Sequence, residues 1–317
     1  MKNILNQNHI VLLFSMIYFL MNHIDSKAQQ DPNFTQYFYN TISVNPAYTG
    51  TRGHLSMNFT YRSQWLGLDG SPETQNINLH GPVTEKAGIG FSLINDNQGD
   101  GTLQNTRFTG SYAYAIPVSQ KFKLSLGLSA GGNLYNLDLF KLRRLDQGIP
   151  ADLESVANRL TLTLGLGTFL YSDRFYLGIS TPNVLNPETF SNSNSTLYVV
   201  NQKPHLNIIS GYVFDISDTV LFKPSVMVRM VDGSPINFDT SANFLFGNAF
   251  RLGVAYRYQS AISALAGFNV SPSLLLGVAY DQNAFQLGDV GLANSSLELF
   301  LRYEIFNKRK LSTPRFF

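Results

Sequence analysis

The chain has 317 residues, a formal net charge of +2, and charged residues at 14% of its positions. Soluble proteins average about 25% charged residues, so the deficit argues against an ordinary soluble domain. A mean hydropathy of -0.04 excludes a bundle of membrane helices. The Lys and Arg residues are scattered, which excludes the basic patch of a nucleic-acid-binding protein, and the absence of Cys excludes disulfides and thiolate metal sites.

The first feature in chain order is a targeting signal. Lys2 supplies a positive charge, residues 10–21 form an apolar run, and residues 26–28 fit a small-x-small cleavage site. We therefore predict a signal peptide over 1–28 and a mature chain that starts near Gln29. The alternative is a membrane-anchoring helix, which is disfavoured because the run is shorter than the ~20 apolar residues that a spanning helix needs.

From residue 53 onwards, apolar residues alternate with small or polar ones, which is the period of a β-strand. In 54–62 the odd positions are apolar and the even positions are polar, and 122–130, 250–258 and 297–304 divide in a similar way. Most of the predicted strands have about ten residues, the length that a tilted strand needs to cross a bilayer. They are placed near 53–63, 73–81, 86–95, 103–116, 120–135, 159–171, 174–182, 204–215, 219–230, 235–246, 249–259, 261–270, 272–282 and 294–305.

The connections between these strands alternate in length. Tight turns are predicted at 117–119, 172–173, 217–218, 247–248 and 271–272. Most intervening connections are longer, at 64–72, 96–102, 136–158, 183–203 and 283–293, although those at 231–234 and 260 are short. Short periplasmic turns and longer external loops are typical of outer-membrane barrels. The two longest loops offer either recognition surfaces or simple shielding, and the first of them could contain a short helix.

Strands of this kind must close on themselves in lipid, because an unpaired backbone group there has no water to bond. We therefore predict an all-β fold, a transmembrane antiparallel up-and-down β-barrel of about fourteen strands over 53–306, with aromatic girdles near the strand ends. A periplasmic tail follows at 307–317, whose basic residues either contact an acidic partner or are solvated. Both termini are expected on the periplasmic side of the outer membrane. The alternative fold is a secreted two-sheet sandwich, which would normally carry more surface charge.

The segment 29–52 precedes the first strand and is rich in Asn, Gln and aromatic residues. It is expected to be periplasmic or lumenal: it either plugs the pore or docks a partner, or it packs under the barrel as a structural lead-in. Barrels of this size need a plug or a water path. Small inward-facing residues would leave room for a plug, namely Gly88, Gly90, Ser92, Ser111, Ala113, Gly165 and Gly167.

Two blocks carry a family resemblance, QDPNFTQYFYNTISVNPAYTG at 30–50 and YRSQWLGLDGSP at 61–72. They resemble the PorP/SprF family of type IX secretion system membrane proteins from Bacteroidota, and the C-terminal LELFLRYEIFNKRKLSTPRFF is similar to the family ending. Thr49 departs from the pattern, where Ala is expected. The matching positions are Gln30, Asp31, Pro32, Phe34, Gln36, Tyr37, Asn40, Asn45, Pro46, Ala47, Tyr48, Gly50, Tyr61, Arg62, Gln64, Trp65, Gly70 and Pro72.

The resemblance implies an outer-membrane component of the type IX secretion and gliding machinery, with no enzymatic activity and no cofactor. It implies partners among the periplasmic secretion-ring lipoproteins, a peptidoglycan-binding tether protein and the C-terminal domain of a secreted adhesin, besides outer-membrane lipid. The alternative function is a porin or transporter for a small solute. The candidate partner-binding residues are Asp31, Pro32, Phe34, Gln36, Tyr37, Asn45, Pro46, Tyr48, Arg62, Gln64 and Trp65.

Two of these candidates also have structural interpretations. Trp65 is the only Trp and could anchor a partner, but an aromatic residue at the barrel mouth or in the interfacial belt is the more common case. Arg62 lies on the predicted inward face, where we expect it to pair with a lumenal acid such as Asp239 or Glu298.

Catalysis and metal binding are not expected. Residues 95–101 have acidic and amide side chains at alternating positions but lack the Glu at the twelfth position of a calcium loop. Beyond the predicted signal peptide the only His residues are His54, His80 and His205. The sequence contains no G-x-S-x-G motif, phosphate loop or zinc-ligand spacing, so an outer-membrane lipase is disfavoured.

Overall fold

The computed structural model describes residues 34–141, 155–185, 203–283 and 295–306. Two single-turn 3₁₀ helices, Thr41–Ser43 and Pro46–Tyr48, precede the strands. The strands are β1 (Leu55–Gln64), β2 (Glu73–Pro82), β3 (Ala87–Gln98), β4 (Leu103–Pro117), β5 (Lys123–Leu137), β6 (Val156–Tyr171), β7 (Phe175–Thr181), β8 (His205–Tyr212), β9 (Phe214–Ser217), β10 (Val220–Val231), β11 (Asn237–Phe246), β12 (Phe250–Arg257), β13 (Ala261–Ser271), β14 (Leu274–Asn283) and β15 (Ser295–Ile305).

The strands form one antiparallel sheet that closes on itself. β1 pairs with β2 and also with β15, where Leu55 lies opposite Ile305 and Arg62 lies opposite Glu298. β9 continues β8 after an interruption at Val213, and both pair with β10. The result is a closed 14-strand β-barrel, which confirms the predicted fold class.

The strand positions agree with the predicted ones to within a few residues, apart from the interruption that divides the predicted strand 204–215 into β8 and β9. Three of the tight turns share the same side-chain hydrogen bond. The Oγ atoms of Ser119, Ser172 and Ser271 each accept a hydrogen bond from the backbone N–H three residues later, at 3.1, 3.0 and 3.1 Å. A Ser side chain of this kind stabilises a turn because it replaces a backbone acceptor.

Each strand separates a polar inner face from an apolar outer face. In β1 the even residues from Ser56 to Arg62 are buried, whereas Met57 and Phe59 are 38% and 40% exposed. This is the reverse of a soluble protein, and it is the arrangement that a barrel in lipid requires. Within the described ranges no helix is long and apolar enough to span a bilayer.

Aromatic side chains line the outer face near the short turns that follow β9 and β11. The ring centroids of Phe214 and Phe222 are 6.2 Å apart, those of Phe222 and Phe244 are 4.8 Å apart, and those of Phe244 and Phe246 are 6.2 Å apart. These rings lie near the strand ends, where the interfacial girdle was predicted.

Candidate functional site: the segment inside the barrel

Residues 34–52, here called the lumenal segment, run through the inside of the barrel. Thr35 and Gln36 lie beside Glu298, near the end of the barrel that carries the long connections. Arg52 lies beside Glu304, at the end that carries the short turns. The segment therefore descends nearly the whole length of the strands before β1 returns in the opposite direction.

The upper part of the segment is held by a buried ionic cluster. Nη1 of Arg62 lies 2.6 Å from Oδ2 of Asp281 and 3.2 Å from Oε2 of Glu298. The Thr35 hydroxyl donates to Asp281 at 2.5 Å and accepts from Arg62 at 2.9 Å. The backbone N–H groups of Thr35 and Gln36 donate to the two oxygens of Glu298 at 2.8 and 3.0 Å. Each carboxylate thus binds both Arg62 of the barrel wall and a residue of the lumenal segment.

The expected pairing of Arg62 with Glu298 is confirmed, and the pairing with Asp239 is wrong. Oδ1 of Asp239 instead accepts from Nε of Arg257 at 2.8 Å, because these two residues lie opposite each other in the pairing of β11 with β12. Arg257 also donates to the backbone oxygen of Phe34 at 3.3 Å, so this second ion pair contacts the lumenal segment too.

Aromatic residues in the middle of the segment pack against opposite walls. Arg229 of β10 donates to the hydroxyl of Tyr37, and its Cζ atom lies 5.1 Å from the centre of the ring. Tyr39 points to the other side, where its ring centroid lies 5.9 Å from that of Phe300 and its hydroxyl donates to Asn243 at 3.2 Å.

These contacts make the lumen a packed core. Two clusters of buried apolar side chains join the segment to the wall. The first contains Phe34, Tyr37, Phe38, Ile42, Val44, Ala47 and Tyr48 with Phe169, Tyr171, Tyr176, Ile209 and Met227. The second contains Tyr39 with Leu265, Leu275, Ala279 and Phe300. The inward polar faces of the strands are therefore covered by the segment.

Asn45 fixes the sharpest part of the path. Its Oδ1 accepts from the backbone N–H of Ala47 at 2.9 Å and caps the helix Pro46–Tyr48, while its Nδ2 donates to the backbone oxygen of Thr168 at 2.9 Å. The wall residue beside Asn45 is Gly167, and no larger residue would fit there, because a Cβ atom on Gly167 would lie only 2.2 Å from Oδ1 of Asn45. The small inward residues thus admit the segment.

At the short-turn end, Arg52 anchors the segment to the last strand. Its Nε lies 2.5 Å from Oε1 of Glu304, and its Nη1 donates to the Tyr48 hydroxyl at 3.2 Å. The buried Arg52 guanidinium therefore has a carboxylate within contact distance.

The structure brings most of the candidate partner-binding residues together, but in the interior. Trp65 is 47% exposed and Gln64 is half-buried at the long-connection end. Asp31 and Pro32 lie outside the described residues. A role of any of these residues in partner binding stays a prediction. Buried in the lumen are Phe34, Gln36, Tyr37, Asn45, Pro46, Tyr48 and Arg62.

Sequence reasoning did not single out several residues that hold the segment. Asp281 binds Arg62 and Thr35, Gly127 faces Ala47, and the Ser180 hydroxyl donates to the backbone oxygen of Val44 at 2.7 Å. The strand alternation placed Gly127 on the inward face but could not say what it meets. No local signal distinguishes Asp281 from any other inward carboxylate.

The predicted oxygen-rich loop at 95–101 is occupied by internal hydrogen bonds. Asp96 accepts from the Thr74 hydroxyl at 2.6 Å and from Nε2 of Gln98 at 2.8 Å. In the part of the chain that the structure describes, three or more His, Asp or Glu side chains never gather in a geometry suited to a metal ion.

The sequence matches the family described as "Type IX secretion system membrane protein PorP/SprF" over residues 26–303. The chain belongs to this family. The resemblance of the N-terminal blocks is thereby confirmed, and the PorP/SprF match spans both the lumenal segment and nearly all of the barrel. No curated protein matches the sequence.

The solved structures that resemble this chain include an outer membrane protein and a toluene transporter. Omp33 of Acinetobacter baumannii is 8% identical, with coverage of 81% of this chain and 100% of that one and a TM-score of 0.46. The toluene transporter TbuX of Ralstonia pickettii is 9% identical, with coverage of 84% and 93% and a TM-score of 0.49. Sequence identities and TM-scores this low say nothing about what the PorP/SprF chain binds or transports.

Proposed function

We propose that this outer-membrane barrel of the type IX secretion family works as a closed anchor that holds other proteins, and that it does not conduct a solute. Its partners would be periplasmic secretion-ring lipoproteins, a peptidoglycan-binding tether protein, or the C-terminal domain of a secreted adhesin. A porin or transporter for a small solute is the competing function.

The observation that carries this proposal is the filled lumen. The lumenal segment contacts β1, β14 and β15 through the cluster of Arg62, Asp281 and Glu298, and it contacts the opposite wall through Tyr37 and Asn45. A solute path along the axis would require the segment to leave both walls.

Leaving the walls would be costly. The two oxygens of Glu298 would lose the backbone N–H donors of Thr35 and Gln36, and each hydrogen bond to a buried charged group is worth about 1.5–3 kcal/mol. The apolar side chains of Phe34, Tyr37 and Tyr48 would lose their packing as well. A rigid, closed barrel is well suited to hold partners and poorly suited to spontaneous opening.

The two ends of the barrel suggest different partners. Short turns face the periplasm in outer-membrane barrels, so ring lipoproteins and the tether would meet the end that carries Ser119, Ser172 and Ser271. The long connections would face outward, where loops usually carry recognition. Phe306 lies at the short-turn end beside His54, with ring centroids 4.6 Å apart, which suits a periplasmic C-terminus. Phe34, the first described residue, lies towards the other end.

Conductance in planar bilayers tests the closed state. We expect the purified wild-type barrel to give no steady current, whereas a variant that lacks residues 34–50 conducts, provided that it still shows the mobility shift of a folded barrel in unheated gels. A steady current through the wild-type protein would instead support the porin alternative.

Affinity purification from crosslinked cells tests the anchor role. We expect periplasmic lipoproteins or a secreted adhesin to copurify with the protein at near-equal amounts. Recovery of only the barrel-assembly machinery and lipopolysaccharide-handling proteins would contradict the proposal.

A further inference from the structure

An apolar groove of about 590 Å³ lies on the outer face of the barrel, across β4, β5, β6 and β7. Its volume falls within the range of roughly 300–1,000 Å³ that is typical of small-molecule sites. Leu128, Leu166 and Ile179 in its walls are 55%, 45% and 43% exposed, so the groove opens towards lipid. The outward-pointing residues that line it are Tyr112, Tyr114, Leu126, Leu128, Leu166, Thr168, Ile179, Thr181 and Leu206.

The groove lies directly behind a place where the wall touches the lumenal segment. The inward residues at this level are small and lie opposite one another on β4 to β7, namely Ala113, Gly127, Gly167 and Ser180. A Cβ atom on Gly127 would lie only 2.2 Å from the backbone nitrogen of Ala47, so no layer of side chains separates wall from segment. This close approach accounts for the hollow on the outer face.

Two lysines lie beside the groove, towards the short-turn end of the same strands. Lys121 and Lys123 are exposed, and the turn that carries them, 118–123, contains no Asp or Glu. Neither lysine forms an ion pair with a residue that the structure describes. The turns on either side, 83–86 and 172–174, each carry one acidic and one basic residue. Lys121 and Lys123 therefore supply an excess of positive charge next to the groove.

The spacing between these lysines and the groove matches one leaflet of a bilayer. Leu128 lies five residues beyond Lys123 on β5, which is about 17 Å along a strand. A strand tilt of about 40° reduces this to a height of about 13 Å. The hydrocarbon core is about 30 Å thick, so one leaflet contributes about 15 Å. An acyl chain with its head group beside Lys123 would thus reach along the whole groove.

A ligand that fits these features combines an apolar chain with an anionic head group. The chain would cover the exposed walls of the groove, and the head group would be attracted by basic side chains at the membrane surface. We propose that the groove binds an acyl chain of one anionic phospholipid, whose phosphate lies beside Lys121 and Lys123. This lipid is a bound molecule with a defined place, in contrast to the exchanging lipid around the rest of the barrel.

Mass measurement of the intact barrel, released from a mild detergent, tests whether the groove is occupied. We expect the wild-type barrel to retain one phospholipid per chain, and the mass of that lipid should identify phosphatidylglycerol or another anionic phospholipid. A barrel that retains no phospholipid, or that retains lipopolysaccharide or an acylated protein in its place, would overturn the proposal.

A substitution that fills the groove sharpens the test. Thr168 lies on the outer face between Leu126 and Ile179 in the strand pairing, so Thr168→Trp places a large side chain in the groove. This variant should lose the retained phospholipid and keep the gel mobility of a folded barrel. Val254→Trp is the matched control and should keep the lipid, because Val254 is 59% exposed on the outer face of β12, away from the groove. Equal retention by the two variants would overturn the proposal.

Purified lipids test the head group, and this experiment does not depend on the folding of Thr168→Trp. Phosphatidylglycerol should raise the unfolding temperature of the delipidated wild-type barrel along a saturating curve, because a ligand of the folded state stabilises it by mass action. Phosphatidylcholine should raise it less, since its head group has no net charge.

Replacing the two lysines should remove this difference between the lipids. The double variant Lys121→Gln with Lys123→Gln should respond equally to phosphatidylglycerol and phosphatidylcholine. Lys203→Gln is the control and should keep the wild-type difference, because Lys203 lies at the long-connection end, where it pairs with Asp232. Equal responses of the wild type to the two lipids, or an unchanged difference in the double variant, would refute the site.

Discussion

A Cβ atom on Gly127 of the barrel wall would lie only 2.2 Å from the backbone nitrogen of Ala47 in the lumenal segment. Wall and segment are therefore in backbone-to-backbone contact at this point, and even a methyl group has no space. Gly88 and Gly50 meet in a similar way, since a Cβ atom on Gly88 would lie 2.7 Å from the Cα of Gly50. Glycines on the inner face thus set how closely the segment can approach the strands.

The variant Gly127→Ala should lose about 1–3 kcal/mol of stability, because the added methyl group overpacks a region that cannot relax without moving backbone. Thermal unfolding of the detergent-solubilised barrel measures the loss, and increased protease cleavage within residues 34–52 should accompany it. Gly110→Ala is the matched control, because Gly110 is an exposed strand residue whose Cβ would meet its nearest neighbour at 3.9 Å. Equal stability of the two variants would contradict the close approach.

Replacing Arg62 should be among the most damaging single changes. Arg62→Gln leaves the carboxylates of Asp281 and Glu298 buried together without a counter-charge, at an expected cost of about 3–5 kcal/mol. The exposed pair of Arg174 and Asp215 provides the control, and Arg174→Gln should cost less than about 1 kcal/mol.

A triple variant separates charge from shape in the same cluster. When Asp281→Asn and Glu298→Gln are added to Arg62→Gln, no buried charge is left uncompensated, and much of the lost unfolding temperature should return. If the triple variant is less stable than Arg62→Gln alone, the loss has another origin than the uncompensated carboxylates.

Crosslinking can locate the lumenal segment in the living cell. The hydroxyl oxygens of Thr49 and Ser111 are 2.9 Å apart, and the chain has no Cys. Thr49→Cys with Ser111→Cys should therefore form a disulfide on mild oxidation, because contact at this range is close to disulfide geometry. The readout is a shift in gel mobility that disappears on reduction.

The control pair for this experiment is Thr49→Cys with Ser273→Cys. Ser273 lies in the turn between β13 and β14, where its backbone N–H donates a hydrogen bond to the Ser271 hydroxyl. This pair should give no intramolecular crosslink. Efficient crosslinking of both pairs would mean that the segment is not held at Ser111.

A charge on the outer face should disrupt insertion. Leu128 lies in the middle of β5, opposite Tyr112 and Leu166, and is 55% exposed. Leu128→Arg should destabilise the barrel by about 2–4 kcal/mol in lipid, because charged side chains near the bilayer midplane are costly. Unfolding in lipid vesicles measures this loss.

Leu68→Arg is the matched control for that change. Leu68 has a comparable exposure of 43% but lies in the connection between β1 and β2, where an Arg side chain reaches water. Its expected effect is small. Should Leu128→Arg be as well tolerated as Leu68→Arg, the outer face of β5 would not be in contact with lipid.

The amino-acid sequence by itself determined the strands, their faces and the closed barrel. A period of two residues is a local property, and it assigns Met57 and Phe59 outward and Arg62 inward without any knowledge of neighbours. A strand edge with unpaired backbone groups is costly in lipid, so the sheet must close into a barrel. The small residues on the inner face even indicated that something could fit inside.

Only the tertiary structure decided which residues meet in the lumen. Asp281 is separated from Arg62 by 219 positions and Asn243 from Tyr39 by 204, so barrel closure alone brings each pair together. The alternation of apolar and polar residues predicts that Asp239 and Asp281 both point inward. It does not predict which of them lies at the same height along the barrel axis as Arg62. That choice depends on strand register and on the path of the segment, because a side-chain contact needs both residues at the same height along the barrel axis.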